Sequence, residues 1–165
     1  VLKQLADEGF DYIVCDSPAG IEKGAFLAMY FADQAIVVVN PEVSSVRDSD
    51  RILGLLASKT RKAENGERVK EFLLLTRYSP SRVEGGEMLS ISDVEEVLGL
   101  KTIGVIPESG DVLNASNKGE PVILDMESNA GQAYDDAVAR LMGEERPMRF
   151  TQAEKKGFFS KLFGG

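Results

Sequence analysis

The sequence contains no histidine. That absence excludes Ser-His-Asp triads, histidine general bases and histidine-rich zinc sites, so any chemistry must run on carboxylates, backbone amides and bound ions. Cysteine is nearly missing as well. Cys15 stands alone, so no internal disulfide can form, which agrees with a reducing cytosol; its simplest reading is a small buried strand residue. No apolar run approaches the roughly 20 residues that a spanning helix needs, and no stretch reads as a signal peptide, so a cytoplasmic protein is expected. Positive charge is scarce: 19 Lys and Arg face 27 Asp and Glu, for a net charge of −8. An acidic body disfavours nucleic acid as a partner, because phosphate binding needs a basic face.

What is present reads as one globular domain with a real core. Its 165 residues fall inside the usual range of about 100–200 per domain. Four short apolar runs stand out: "DYIVCD" (11–16), "QAIVVVN" (34–40), "EFLLLTRY" (71–78) and "TIGVIPES" (102–109). They are continuous rather than alternating, which suits strands buried on both faces of a parallel sheet. Between them the spacing is helical. Phe26, Met29 and Tyr30 share one face, as do Ile52, Leu53 and Leu56, and then Tyr134, Ala137, Val138 and Leu141. Strand and helix alternate, so the expected fold is α/β, a doubly wound, mostly parallel sheet with helices on both faces. Ser45 is the expected N-cap of the helix after the second run, with Asp48 three residues on, and Gly143 is the expected stop of the last one. The opening "VLKQLADEGF" reads like the end of a helix already under way, so a fragment is expected.

"DYIVCDSPAG" (11–20) is the most informative stretch of the body. A hydrophobic strand ending in Asp16 delivers a carboxylate to the carboxyl edge of the sheet, where α/β proteins bind ligands, and there it can hold Mg²⁺ through water. Ser17, Pro18, Ala19 and Gly20 form a short loop after it; glycine permits close backbone approach to a phosphate and proline restrains the turn. The plain alternative is an ordinary strand-to-helix connection.

"DYIVCDSPAGIE", "FADQAIVVVNPEVSSVRDSDRILGLL", "LLLTRY", "GVIPES", "ASNKGEPVI" and the closing "KKGFFSKLFGG" together resemble the ParA/MinD family of deviant Walker A ATPases, in its Min branch. The resemblance covers essentially the whole chain. It implies the C-terminal part of a P-loop NTPase-like domain at 1–143, with the P-loop itself outside these residues. These residues alone are then expected not to bind ATP usefully and to be inactive. It implies that Asp16 is the Walker B aspartate, with Ser17, Pro18 and Gly20 in the loop that senses the γ-phosphate. Arg77, Pro107, Glu108, Asp111 and Val112 are implied to lie around the adenine. Glu42, Ser44, Asp48 and Asp50 become candidate contacts for the inhibitor MinC and the activator MinE. ATP and Mg²⁺ are the implied cofactors, and an ATP-bound homodimer the implied assembly. The implied activity is an ATP-dependent switch that helps place the division septum. A related ATPase that positions flagella or plasmids, or a non-catalytic membrane adaptor, are the alternatives.

The end of the chain is read from its own residues. Residues 144–154 are expected to be a polar tether, and 155–165 an amphipathic helix. At 100° per residue, Phe158, Phe159, Leu162 and Phe163 fall within an arc of about 140°. Lys155, Lys156 and Lys161 supply the charge, and lysines bordering such a stripe reach lipid phosphates while the rings enter the acyl boundary. Eleven residues rise only about 16 Å, half the hydrocarbon thickness, so the helix is expected to lie flat on an anionic phospholipid surface. Each lysine contributes about 1 kcal/mol there, and each partly buried side chain about 1–2 kcal/mol. Folding a helix too short to persist in water offsets part of this, so one tail binds weakly and two tails on a dimer gain by effective concentration. A chain ending at Arg149 is expected to lose its hold on anionic vesicles in co-sedimentation; undiminished binding would show that the amphipathic end is not the anchor.

Overall fold

Three of the four apolar runs form strands and one does not. The structure, a computed structural model, describes residues 1–17 and 23–152. In chain order its elements are α1 (Leu2–Asp7), α2 (Lys23–Tyr30), β1 (Gln34–Val39), α3 (Val43–Ser58), α4 (Arg61–Glu64) and β2 (Lys70–Tyr78). After these come α5 (Pro80–Glu84), α6 (Ile91–Leu98), β3 (Thr102–Pro107), α7 (Gly110–Lys118), a 3-10 turn η1 (Val122–Leu124) and α8 (Asn129–Leu141). The chain divides into two compact units, residues 1–35 with 50–70, and residues 36–49 with 71 onward.

In the second unit the sheet has the strand order β1-β2-β3. β2 and β3 pair in parallel, with Leu73 beside Thr102, Leu75 beside Val105 and Tyr78 beside Pro107. The α/β class with parallel pairing is therefore as expected. Burial along β3 is continuous from Ile103 to Ile106, the mark of a strand covered on both faces. β1 behaves differently. Val37 and Val39 are buried, whereas Ile36 and Val38 are 44% and 58% exposed, so β1 shows the alternation of a strand covered on one face.

Glycine decides how closely α8 approaches the sheet. A Cβ on Gly104 of β3 would stand 2.5 Å from the Cβ of Ala137 and 2.7 Å from Cδ1 of Leu74. At the other end of α8, a Cβ on Gly131 would press onto the carbonyl oxygen of Asp125 and lie 2.6 Å from that of Val122. Gly104, with the alanines at 130, 133 and 137, lets the helix sit low on β3, and Gly131 lets its first turn sit close on the loop that follows η1. Ile106, Val122, Ala130 and Ala133 form the cluster beneath it, with Leu74, Val112, Ala115, Tyr134 and Phe150 packed around. Ser128 caps α8, its Oγ accepting the Gly131 amide at 2.9 Å.

In the first unit, Thr60 caps α4 by accepting the Ala63 amide and itself donates to the Leu56 carbonyl. Tyr30 donates to Glu64 at 2.7 Å, and that bond raises the phenol's pKa. Lys62 pairs with Asp33, and Arg61 lies over the Phe31 ring. Ala25, Leu56 and Val69 are buried.

Three expectations need correction. Residues 11–16 are not a strand: the segment is irregular, with Tyr12 66% and Val14 90% exposed. A parallel strand exists only in a ladder, and among the described residues no strand pairs with this one. Cys15 is accordingly exposed rather than buried. Ser45 is not the N-cap either, because α3 begins at Val43 and its first turn closes with the Val46 amide on the Glu42 carbonyl. The Ser45 carbonyl instead accepts the hydroxyl of buried Ser49 at 2.8 Å. Gly143 does follow the last helix, at φ +94°. Gly131→Ala is expected to cost roughly 3 kcal/mol or more, since backbone must move, against about 1 kcal/mol for Ser128→Ala. Denaturant unfolding of the two variants checks the order; equal losses would mean that the loop before α8 yields freely.

Candidate functional site

The carboxyl ends of the strands in the second unit gather polar groups, as the ends of parallel strands do. β1 runs out into Asn40, whose Oδ1 accepts the hydroxyl of Thr76 from β2 at 2.9 Å. Behind it, the buried Pro41 carbonyl accepts the Leu89 amide at 3.0 Å. β2 ends in Arg77 and Tyr78, and β3 in Pro107, leading to Glu108. The Glu108 amide donates to the Tyr78 carbonyl at 3.0 Å, and its Oε1 lies 3.5 Å from Nη2 of Arg77. Ser109 then caps α7, its hydroxyl accepting the Asp111 amide at 3.1 Å and donating to the Asp111 carboxylate at 2.9 Å.

Arg77 is held at φ +55°, in the left-handed region that a side chain with a Cβ enters at a cost of about 1–2 kcal/mol. The turn aims its guanidinium outward beside Glu108. Both side chains are exposed, so the ion pair itself contributes little to stability. The β2–β3 register is irregular between Leu75 and Tyr78, so the positive φ belongs to a bulge, a device that re-aims a side chain at a strand end. Tyr78 beside it is buried, and burial, with the nearby Asp93 charge, raises its pKa. Asp93 closes the capping box of α6, and its bonds to the Ser90 hydroxyl and amide hold its carboxyl below the usual range. A carboxyl whose pKa falls on folding stabilises α6 above its unfolded pKa, and that contribution disappears as pH drops through the folded value.

Of the residues singled out from the sequence, Arg77, Pro107 and Glu108 come together, with Asp111 and Val112 one cap further on. Asp111 also lines a hollow of about 240 Å³ with Asn114, Lys118, Glu120, Leu124 and Asp125; its mostly acidic rim suits an anion poorly. Glu42, Ser44 and Asp48 are exposed at the start of α3. Asp50, further along α3, and Asp16 and Ser17, at the end of the irregular segment, are exposed in the first unit. Pro18 and Gly20 lie outside the described residues, as do Lys155, Lys156, Phe158, Phe159, Lys161, Leu162 and Phe163. Sequence reasoning missed Asn40, Thr76 and Ser109. The asparagine closing "AIVVVN" and the serine before Gly110 and Asp111 were the available signals.

Known proteins share both the sequence and this architecture. No family model matches the chain. The septum site-determining protein MinD of Escherichia coli (strain K12) is 66% identical over 166 residues, covering 100% of this chain and 62% of that protein. The MinD of the Aquifex aeolicus MinC:MinD cell division protein complex superposes with a TM-score of 0.80 at 40% identity, covering 92% of this chain and 60% of that one. The fold alone is shared with Pyrococcus horikoshii MinD, solved in complex with Mg-ADP, at a TM-score of 0.68 and 24% identity over 85% of this chain and 55% of that one. The chain thus spans about three-fifths of the length of the proteins it matches.

Parallel pairing, polar strand ends and these superpositions define an α/β chain of the ParA/MinD class of P-loop NTPase-like proteins. Within that class the chain is similar along its whole length to the septum site-determining proteins named MinD.

Arg77→Gly should leave stability within about 1 kcal/mol of the parent or raise it, because glycine removes the positive-φ cost and only an exposed ion pair is lost. Chemical denaturation reads this directly; a loss beyond about 2 kcal/mol would show that the arginine is structural.

Proposed function

We propose that the chain is part of an ATP-dependent switch ATPase that associates with the inner face of the cytoplasmic membrane and helps place the division septum. The observation that carries this reading is the 66% identity to a septum site-determining protein along the whole chain. The fold shared with a MinD solved in a MinC:MinD complex supports MinC as a partner. An activator of the MinE kind and an ATP-bound homodimer complete the reading.

The residues fit a magnesium nucleotide in a limited way. Among the described residues, no three metal-ligating side chains converge. A single carboxylate acting through water is how Mg²⁺ is commonly held beside phosphates, so Asp16 is the residue that would hold it. Bound ATP with Mg²⁺ would supply the phosphoanhydride whose hydrolysis resets the switch. Ser17, Pro18 and Gly20 follow Asp16 in the sequence and would sense the terminal phosphate. Arg77 and Glu108, exposed and only loosely paired, are free to turn toward a base, with Pro107, Asp111 and Val112 alongside. Glu42, Ser44, Asp48 and Asp50 present carboxylates and a hydroxyl along α3 for partner proteins. The amphipathic end, residues 155–165, supplies the lipid contact.

Asp16→Ala, placed in the longer protein that carries the P-loop, is expected to abolish ATP-dependent binding to anionic vesicles while leaving the fold intact by circular dichroism. Binding that no longer responds to ATP in the parent protein, or that survives unchanged in Asp16→Ala, would favour an adaptor that holds lipid without a nucleotide switch.

A further inference from the structure

The stretch after α8, read from the sequence as a tether, is strapped to the domain as far as Phe150. Arg140 reaches outward from α8, with Nε donating to the Arg146 carbonyl at 3.0 Å and Nη2 to that of Pro147 at 2.5 Å; Nη1 donates inward to the Ile103 carbonyl of β3 at 2.7 Å. Arg149 reaches the other way. Its Nε donates to Oδ2 of Asp136 at 2.6 Å, and its two terminal nitrogens donate to Oε1 and the main-chain oxygen of Gln132 at 2.7 and 3.2 Å. The Asp136 side chain is only 5% exposed, so its charge is costly unless paired, and Arg149 is the described cation that pairs it. Phe150 follows at φ +60°, with its ring under the Arg149 guanidinium and against the Ile106–Val122–Ala130–Ala133 cluster.

We propose that the Arg149–Asp136 clamp is a positioning device for membrane contact, rooting the lipid-binding end at Phe150 so that the α7–η1 face of the domain is held nearest the lipid. The inference rests on the membrane reading above. With the clamp closed, only residues 151–154 separate the root from the amphipathic stretch, a reach of at most about 14 Å; a free tether from residue 144 would allow about 38 Å. Val112, Ala115 and Val122 touch the cluster that seats Phe150, so α7 and η1 flank the root. Met142 lies at the opposite end of α8, about 15 Å along the helix from Gln132. Asp111, Glu120 and Asp125 on the favoured face would be repelled by anionic headgroups, but that repulsion fades beyond a Debye length of about 8–10 Å, within the short reach. The face is held close without being pressed into the bilayer.

The chain has no tryptophan, so a single one introduced at exposed Leu124 or exposed Met142 reports position cleanly. The full chain carrying Leu124→Trp or Met142→Trp is mixed with phosphatidylglycerol vesicles containing a dansyl-labelled lipid, and energy transfer is read from the bound fraction. With the clamp intact, transfer from position 124 should exceed that from position 142 by at least about twofold, since 124 lies in η1 beside the start of α8 and 142 just past its end. Asp136→Asn, which keeps volume and one acceptor, and Arg149→Gln should each bring the two positions to similar values. Both should also speed hydrogen exchange of amides 144–150 without lipid. Equal transfer with the clamp intact overturns the proposal whether or not the variants fold, and so does a difference that survives release. Absence of vesicle binding in every form, with slow exchange at 144–150, would instead remove the membrane reading and the proposal with it.

Discussion

The rest of the second unit depends on how low α8 lies on β3. Gly104 offers no side chain where Ala137 passes, and Gly131 none where the loop before α8 turns beneath its first turn. Helix–sheet layers lose dispersion contact steeply as they separate, so small residues at the crossing do more than fill space. They set the depth at which Ile106, Val122, Ala130 and Ala133 can close over one another. That depth also brings Arg140 within reach of the Ile103 carbonyl and buries Asp136. The strap that follows α8 is built on a helix seated at that depth.

The strand ends illustrate a different economy. Hydrogen bonds between neighbouring termini, Asn40 to Thr76 and Glu108 to Tyr78, fix the spacing of the edge from which Arg77 and Glu108 project. Serine caps at Ser90, Ser109 and Ser128 satisfy the first amides of α6, α7 and α8 and leave those helices sharply defined. Against this regular frame, the positive φ of Arg77 falls where the β2–β3 register is irregular, between Leu75 and Tyr78.

Much of the fold was legible because periodicity is a local property. The runs at 34–40, 71–78 and 102–109 became β1, β2 and β3, and the apolar stripes placed α2, α3 and α8. The run at 11–16 carried the same signal and is irregular, since a strand is a relation between segments and one segment cannot show whether its partners are at hand. Likewise, nothing in "QAIVVV" distinguishes a strand covered twice from one covered once. At the candidate site, the sequence supplied Arg77, Pro107 and Glu108 as strand-end residues, and they do meet. It could not supply the Asn40–Thr76 bond, which joins residues 36 apart in the chain. The Arg149–Asp136 pair was hidden for a related reason. In "EERPMRF" an arginine looks like solvated charge, and only the burial of its partner on α8 makes it otherwise.

The half-covered strand β1 has a bearing on how the chain behaves in concentrated solution. Ile36 and Val38 present branched apolar side chains on a strand at the border of the sheet, the kind of surface along which copies of a chain stack. Their shared sign of charge, a net −8 for each, opposes such stacking. Added electrolyte shortens that repulsion, to about 3 Å at 1 M salt, while leaving the apolar attraction in place. Salt therefore weakens the repulsion that opposes such stacking without weakening the attraction that drives it.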